Sequence, residues 1–520
     1  MEPGNPPSRG SVVLIVLGTM LALMLGVMDQ SIVATAGPTI ISDLGGLGLY
    51  AWVFSVFVLA QTVSMPILGK LSDLYGRKRF LLIGLLTFIA GSMLSGASQG
   101  IQELIFFRAI QGVGSGAFFS IGLAAIGATL PPEQRAKVLG IAGSIFGVGA
   151  ILGPTLGSYL VQSVGWRWIF YVNLPIGVLS LILIQAKLKE SRRPDAEPII
   201  DWLGVFSLAG WVSLLLIGFL NGGSTFPWYS WQEAFFLGGF AVLLAVFLLV
   251  EKRAKEPILP LALFRIRTIS SSFVVQFVRG SLLLGLIAFT PLLVQGAVGG
   301  TIEDTRNVLY AFVIPFVVGS ISSGQFVARL GYRKVTFMGC AVLVVGGLAL
   351  ATLRSSPSVV EVMERGGIIG LGQGITITSV LSAFQNSVEK RQIGVASSLA
   401  TFSLNLGGAI GVAIIGTIQA NSFGLQLSSI AQQSPPQDRI QLAQIFADPD
   451  RVGRILTSPQ ALAQLAAGNP IVSSIISQVR GALGQSIVQA FLLLTVLSVV
   501  ALIASLFITG SAGKPRTEGR

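Results

Sequence analysis

Fourteen apolar stretches, each 18 to 26 residues long, recur along this 520-residue chain, and they constrain its fold more than any other feature. They cover 12–34, 50–69, 80–98, 102–126, 138–163, 168–186, 203–220, 232–250, 270–294, 304–327, 335–353, 364–384, 396–418 and 485–508. A helix needs about 20 consecutive apolar residues to cross the hydrocarbon core of a bilayer. Within that core each backbone N–H and C=O must find a partner in the protein, which leaves helices or closed barrels. Barrel strands need only about 9–11 residues, so the runs point to an all-α polytopic membrane protein. Composition agrees: 52% of residues are hydrophobic and 11% charged, where soluble domains carry about 25% charged residues.

The formal charge of +12 is a topology signal, not a nucleic-acid signal. With both termini in the cytoplasm, 24 of the 34 Lys and Arg fall in cytoplasmic segments and 8 outside. The remaining 2, Arg108 and Arg279, lie within spans. Positive charge in short cytoplasmic loops is what sets orientation. A single cysteine, Cys340, leaves no internal disulfide, and the lack of histidine removes His-based triads and His-ligated metal sites. No GxxxxGK[ST] phosphate loop is present. No catalytic residues, metal site or cofactor are therefore expected. The first span has no small-residue cleavage site and reads as an uncleaved helix.

The chain also repeats itself. "GKLSDLYGRK" (69–78) follows the second span and "GQFVARLGYRK" (324–334) the tenth, each with two glycines seven apart and a basic pair after them. "GVGSG" (112–116) in the fourth span parallels "GLGQG" (370–374) in the twelfth. Both offsets are near 255 residues, so two six-helix halves flank two extra helices. The expected division is 1–190 for the first bundle, 191–260 for the central pair with its linkers, and 261–520 for the second bundle. The last includes a Gln-rich, helical-looking outer segment at 420–484. Paired repeats of this kind build secondary transporters, with the substrate site at their interface.

Asp29 is the one carboxylate well inside a span. Such a residue costs about 2.5–3.5 kcal/mol on insertion scales and usually marks an ion path or a proton relay. It lies about five residues from the outer end of the first span, roughly 7–8 Å deep at 1.5 Å per residue. Arg108 in the fourth span is roughly 9 Å deep by the same rise. The two opposite charges thus share a level, and can meet directly or through water. Arg108, Gln111, Gly112 and Ser115 form one helical stripe, as expected of a face against a helix or a water-filled cavity. Gln30, Gln111, Ser115 and Arg279 are candidates for a substrate cavity. Arg279 is read as near mid-membrane, where three roles stand side by side. It can bind an anionic substrate group, balance a substrate-linked charge, or pair with helix carbonyls.

These residues resemble those of the major facilitator superfamily, in particular its fourteen-span drug:proton antiporters of the quinolone and quaternary-ammonium exporter type. "GKLSDLYGRKR" (69–79) is similar to the loop 2–3 signature, and "RAIQGVGSG" (108–116) to the span-4 motif. "GAILGPTLGS" (149–158) is similar to the antiporter motif of span 5, and "LGVMDQSIVATAGPTI" (25–40) to the span-1 motif. "GWRWIFYVNLPIG" (165–177) and "EPILPLALFR" (256–265) resemble the fourteen-span branch. The resemblance covers nearly the whole chain. It implies fourteen transmembrane helices arranged six plus two plus six. It implies that Gly69, Asp73, Gly76, Arg77 and Lys78 latch the outward-open state; Asp73 can cap a helix N-terminus of the partner half, where the dipole favours an anion. It implies too that the small stripe Gly149, Gly153 and Gly157, with Pro154, favours exchange over leak. Two departures stand out: Ser158 replaces a glycine, and Gly37 replaces a larger apolar residue before Pro38, which is expected to loosen the outer end of the first span.

The expected function is proton-coupled efflux of lipophilic or amphipathic compounds by alternating access. Asp29 and Arg108 carry the coupling, and a proton gradient is the energy source. An exporter of an endogenous lipid or cell-envelope precursor is the alternative. The expected setting is the plasma membrane of a prokaryote, as a monomer, with a small-molecule substrate, protons and the bilayer as partners and no nucleic acid.

Overall fold

The computed structural model of the protein describes residues 9–122, 148–149, 151–188, 190, 201–222, 226–254, 257–259, 261–354, 357–389, 392–433, 452, 456 and 470–509. Helices dominate, and no strand occurs among the described residues beyond one isolated bridge, Gly222 to Phe226. The order is α1 (Arg9–Leu44), α2 (Tyr50–Tyr75), α3 (Arg77–Ala97), α4 (Ile101–Ala117) and α5 (151–163). Then come α6 (Asn173–Lys187), α7 (Trp202–Asn221), α8 (Trp231–Arg253), α9 (Arg267–Pro291) and α10 (Ile302–Leu330). The last four are α11 (Tyr332–Ala351), α12 (Val359–Asn386), α13 (Ile393–Gln433) and α14 (Pro470–Leu506). Among the described residues, thirteen helices are long and apolar enough to cross a membrane. The fourteenth expected span, 138–163, is described only at 148–149 and 151–163, where it is helical. The protein is thus an all-α, multi-pass membrane protein.

Several helices outrun the apolar runs that predict them. α1 continues to Leu44 through Pro38 and stops at Gly45 and Gly46, both at positive φ (75° and 79°), the helix-ending conformation glycine adopts without strain. Asp29 therefore stands near the middle of α1 rather than close to its outer end. α13 runs on to Gln433 and α14 begins at Pro470, so both edges of the 420–484 segment are helical extensions; its centre, apart from Val452 and Leu456, lies outside the described residues.

The repeats have a structural cause. Gly76 (φ 114°) is the single residue between α2 and α3, and Gly331 (φ 81°) the single residue between α10 and α11. Such one-residue reversals need a backbone that L-residues rarely adopt. In α4, side chains at Gly112 or Gly116 would run into α2, at Phe57 and at Gln61 and Ser64, and one at Gly114 into α3 at Phe88 and Gly84. In α12, Gly370 and Gly374 press on α10 at Phe312 and Phe316, and Gly372 on α11 at Leu343. Both glycine triplets therefore seat one helix in the cleft of the pair before it, by close backbone approach. Where α10 and α12 begin, Thr301 with Asp304 and Ser358 with Glu361 form capping boxes, which satisfy N–H groups that helix ends leave free.

The chain divides into two compact units. The first comprises 1–33, 56–209 and 253–258. In it α3 packs on α4 and α6, and Ser180 of α6 donates to the Gly18 carbonyl of α1 (2.7 Å). The second comprises 34–55, 210–252 and 259–520. There α10, α11, α12 and α14 pack side by side and α9 lies along α13, joined by Ser281 to Gly407 (2.8 Å) and Ser403 to Phe273 (2.7 Å). The second unit also holds the C-terminal end of α1. A Cβ at Gly37 would lie 2.7 Å from the Tyr50 hydroxyl and 2.8 Å from its ring. Tyr50 occupies the space a larger residue would take, packs edge-on against Phe54 and Phe289, and donates to the Ala288 carbonyl. Gly37 thus admits a buried aromatic lock rather than leaving this end loose.

Candidate functional site

The first unit builds a closed polar cluster in an apolar setting. α1 supplies Asp29, α4 supplies Arg108 and Gln111, α6 supplies Asn173 and α3 supplies Ser92, each no more than 1% exposed. Arg108 Nη1 pairs with Asp29 Oδ2 directly and also donates to Gln111 Oε1 (2.8 Å). Asp29 Oδ1 accepts from Gln111 Nε2 (2.8 Å) and Asn173 Nδ2 (3.0 Å). Asn173 further donates to Ser92 Oγ (3.0 Å), and Ser92 to the Phe170 carbonyl (2.8 Å). The Arg108 guanidinium lies 4.1 Å from the centre of the Phe57 ring on α2, a cation–π contact strengthened by loss of water. Five helices therefore surround one neutral pair of charges. Ionised Asp29 receives three donors here, and adding a proton would discharge the pair and leave Arg108 without its counter-charge.

The sequence stripe on α4 is only partly assembled around this pair. Ser115, two turns on from Arg108, accepts from Gln61 Nε2 of α2 (3.0 Å) and lies against Gly26. Gln30 is half-buried and lies about 100° around α1 from Asp29. Asn173, Ser92 and Phe57 are not singled out by the sequence reading. For Asn173 a signal exists, an amide in the first half of the mostly apolar run 168–186.

The span-5 motif lies along the same helix as Asp29. A Cβ at Gly149 would reach Val27 at 3.4 Å, and one at Gly153 would overlap the Ser31 side chain and stand 3.1 Å from the Ile32 nitrogen. Pro154 and Gly157 are buried as well. Gly149 and α5 thus flank Asp29 along α1, at Val27 and Ser31. In the loop 2–3 motif, Gly69 lies 3.6 Å from the Ser120 Cβ when given one itself, and Gly76 turns the chain against Glu190. The Lys78 backbone N–H donates to Glu190 Oε1 (3.1 Å) and its Nζ to the Gln185 carbonyl (2.7 Å). Arg77 is half-buried. The Asp73 side chain lies outside the described residues.

The second unit has its own buried cation. Arg279 on α9 is 1% exposed; its Nη1 donates to Gln276 Oε1 (2.6 Å) and its Nη2 to the Gln373 carbonyl (3.2 Å), while Gln373 Nε2 returns a bond to the Arg279 carbonyl (3.0 Å). No carboxylate pairs with it among the described residues. No group of three or more potential metal ligands occurs among them either.

Long apolar helices packed around buried charges define a multi-pass membrane protein. Comparison with known proteins places it further. The profile of the Major Facilitator Superfamily matches residues 19–226 and 201–412. The chain is 34% identical over 510 residues to multidrug resistance protein 3 of Bacillus subtilis, covering 98% of this chain and 97% of that one. It is 33% identical over 481 residues to the multidrug transporter protein MdtP of the same organism, covering 88% and 87%. A crystal structure of a bacterial homologue of the human lysosomal transporter Spinster shares the fold, with a TM-score of 0.66 at 14% identity over 96% of this chain and 98% of that one. The chain belongs to the Major Facilitator Superfamily.

Proposed function

We propose that the protein exports lipophilic or amphipathic compounds in exchange for protons, by alternating access between its two six-helix halves. The observation that carries this reading is the Asp29–Arg108 pair, buried and sustained by Gln111 and Asn173. Removing one partner of such a pair is costly, about 3–5 kcal/mol, because the other charge is left uncompensated. Protonation of Asp29 does this reversibly, which supplies the drive for a change of packing around α1 and α4. The names of the relatives, multidrug transporters in Bacillus subtilis, support the substrate class.

In this reading protons reach Asp29 from outside, and substrate enters from the cytoplasm or inner leaflet. Gln30, Gln111, Ser115 and Arg279 contact it. The cluster of Gly69, Asp73, Gly76, Arg77 and Lys78 latches one state, and the stripe Gly149, Gly153, Pro154 and Gly157 limits leak. The protein acts as a monomer in the plasma membrane with both termini in the cytoplasm, needing no metal or cofactor beyond the proton gradient.

The test is reconstitution in liposomes loaded with a pH-sensitive dye, with ethidium as the transported probe. Ethidium-dependent proton movement in the wild type that is lost in Asp29→Asn is expected. Full transport against a gradient by Asp29→Asn would overturn the coupling role. Proton movement with total lipid extract but with no dye would favour export of an endogenous lipid.

A further inference from the structure

A second carboxyl group lies buried outside this site. Glu233 is in the first turn of α8, in the central helix pair, and is 0% exposed. Both its carboxyl oxygens are closed off from solvent and neither has a hydrogen-bond partner among the described residues. Ser230 Oγ accepts the backbone N–H of Glu233 (3.2 Å), so the helix end is capped by the serine and the carboxyl group is not used for it. Across the pair stands Gly218 of α7, where an added Cβ would meet Glu233 Oε1 at 3.1 Å, Leu237 at 3.1 Å and Phe236 at 3.5 Å.

No counter-charge is paired with this group among the described residues. α7 contains no Asp, Glu, Lys, Arg, Tyr or Cys. Nor does α13, which joins the end of α7 through Thr417 to the Phe219 carbonyl and Asn421 to the Gly222 carbonyl (3.2 Å). On α8 itself the other charged residues, Glu251, Lys252 and Arg253, stand at the opposite end. Tyr229 in the connecting loop is fully exposed. A carboxylate without donor or cation is strongly disfavoured in such a place, and a group so placed neutralises instead.

We propose that Glu233 is a second proton-carrying carboxyl of this transporter, loaded from the water at the 222–230 end of the central pair. Position and access agree. Trp231, 75% exposed, and Tyr229 mark the interfacial level where aromatic rings settle, and Glu233 lies two residues, about 3 Å, further in. A cavity of about 540 Å³ opens at the same end of the central pair, lined by Trp228, Thr417, Asn421, Ser422, Gln485 and Gln489. The Trp228 ring packs against Phe219, whose neighbour Gly218 touches Glu233. Glu233 does not line that cavity, so an organic cation has no room against it, whereas a proton needs none. A proton leaving this water adds to a carboxylate oxygen to give the neutral acid, and its return to water restores the carboxylate. The role in transport rests on the proton-coupled reading above; the presence of an exchangeable neutral acid does not.

The test uses the full chain in lipid, followed by infrared spectroscopy as pH is stepped. The C=O stretch of a carboxylic acid without hydrogen bonds falls at the high-frequency end of its range. A band there in the wild type is expected to fade as pH rises, to persist in Asp29→Asn and to be missing from Glu233→Gln. Glu233→Asp, which keeps the acid, retains a shifted band and shows that its loss is not misfolding. In proteoliposomes Glu233→Gln is expected to halve the protons moved per ethidium. Absence of the band, a band that pH does not move, or an unchanged proton ratio in Glu233→Gln would each overturn the proposal. If the wild type moves no protons with ethidium, the efflux reading fails, and the pH response of the band alone decides for or against Glu233.

Discussion

Asn173 on α6 and Gln111 on α4 donate to the same oxygen of Asp29, Oδ1, at 3.0 and 2.8 Å. The carboxylate is thereby fixed from two helices on one side while Arg108 holds Oδ2 on the other. A hydrogen bond to a charged group contributes about 1.5–3 kcal/mol. Asn173→Leu is expected to lower the proton-driven transport rate by about tenfold or more, since each 1.4 kcal/mol is tenfold, with expression retained. Rates in proteoliposomes at matched protein levels check this; an unchanged rate would reduce Asn173 to packing.

The charge pair itself gives a double-mutant prediction. Asp29→Asn and Arg108→Gln each leave one uncompensated buried charge or its equivalent and are expected to cost about 3–5 kcal/mol of stability. The double variant removes both charges and is expected to recover most of that loss while remaining unable to couple. Thermal unfolding in detergent alongside transport separates the two effects. Additive losses in the double variant would mean that the contact carries little energy.

Gly153 has no space for a side chain against Ser31 and Ile32. Gly153→Leu forces α5 away from α1 beside Asp29, and overpacking of this kind costs about 1–3 kcal/mol. Faster proton leak without substrate, read by an internal pH dye, is the expected sign. A tight variant would remove the sealing role from this stripe.

Tyr50 fills the space at Gly37 and donates to the Ala288 carbonyl. Tyr50→Phe keeps the ring contacts with Phe54 and Phe289 and loses one hydrogen bond, about 0.5–1.5 kcal/mol. Gly37→Leu displaces the ring altogether and is expected to destabilise more. Reversing this order in unfolding experiments would contradict the lock.

Cys340 is fully buried on α11, and burial closes its thiol to a reagent. A maleimide is expected to label it only on unfolding, so labelling against temperature reports global opening without an introduced probe. Rapid labelling of the folded protein would show that this face of α11 opens in the native state.

The sequence alone determined the class of fold, because hydrocarbon leaves no alternative to helices that satisfy their own backbones, and runs of 18 or more apolar residues record that demand. It also revealed the repeat. The glycines at 76 and 331 and the two triplets are spaced by backbone geometry, which a sequence shows directly. Asp29 and Arg108 were legible for the same reason: a charge in an apolar run is conspicuous. The tertiary structure decided the rest. The first apolar run covers 12–34, yet the helix passes through Gly37 and Pro38 to Leu44. Asn173 and Ser92 complete the Asp29 cluster from segments 144 and 63 residues away, and single amides and hydroxyls are common enough in spans to pass unnoticed. Glu233 lies at the very edge of the apolar run 232–250, and only packing against Gly218 buries it. Periodicity and composition are local quantities, whereas which polar groups meet, and which meet nothing, depends on how helices distant in sequence lie against one another.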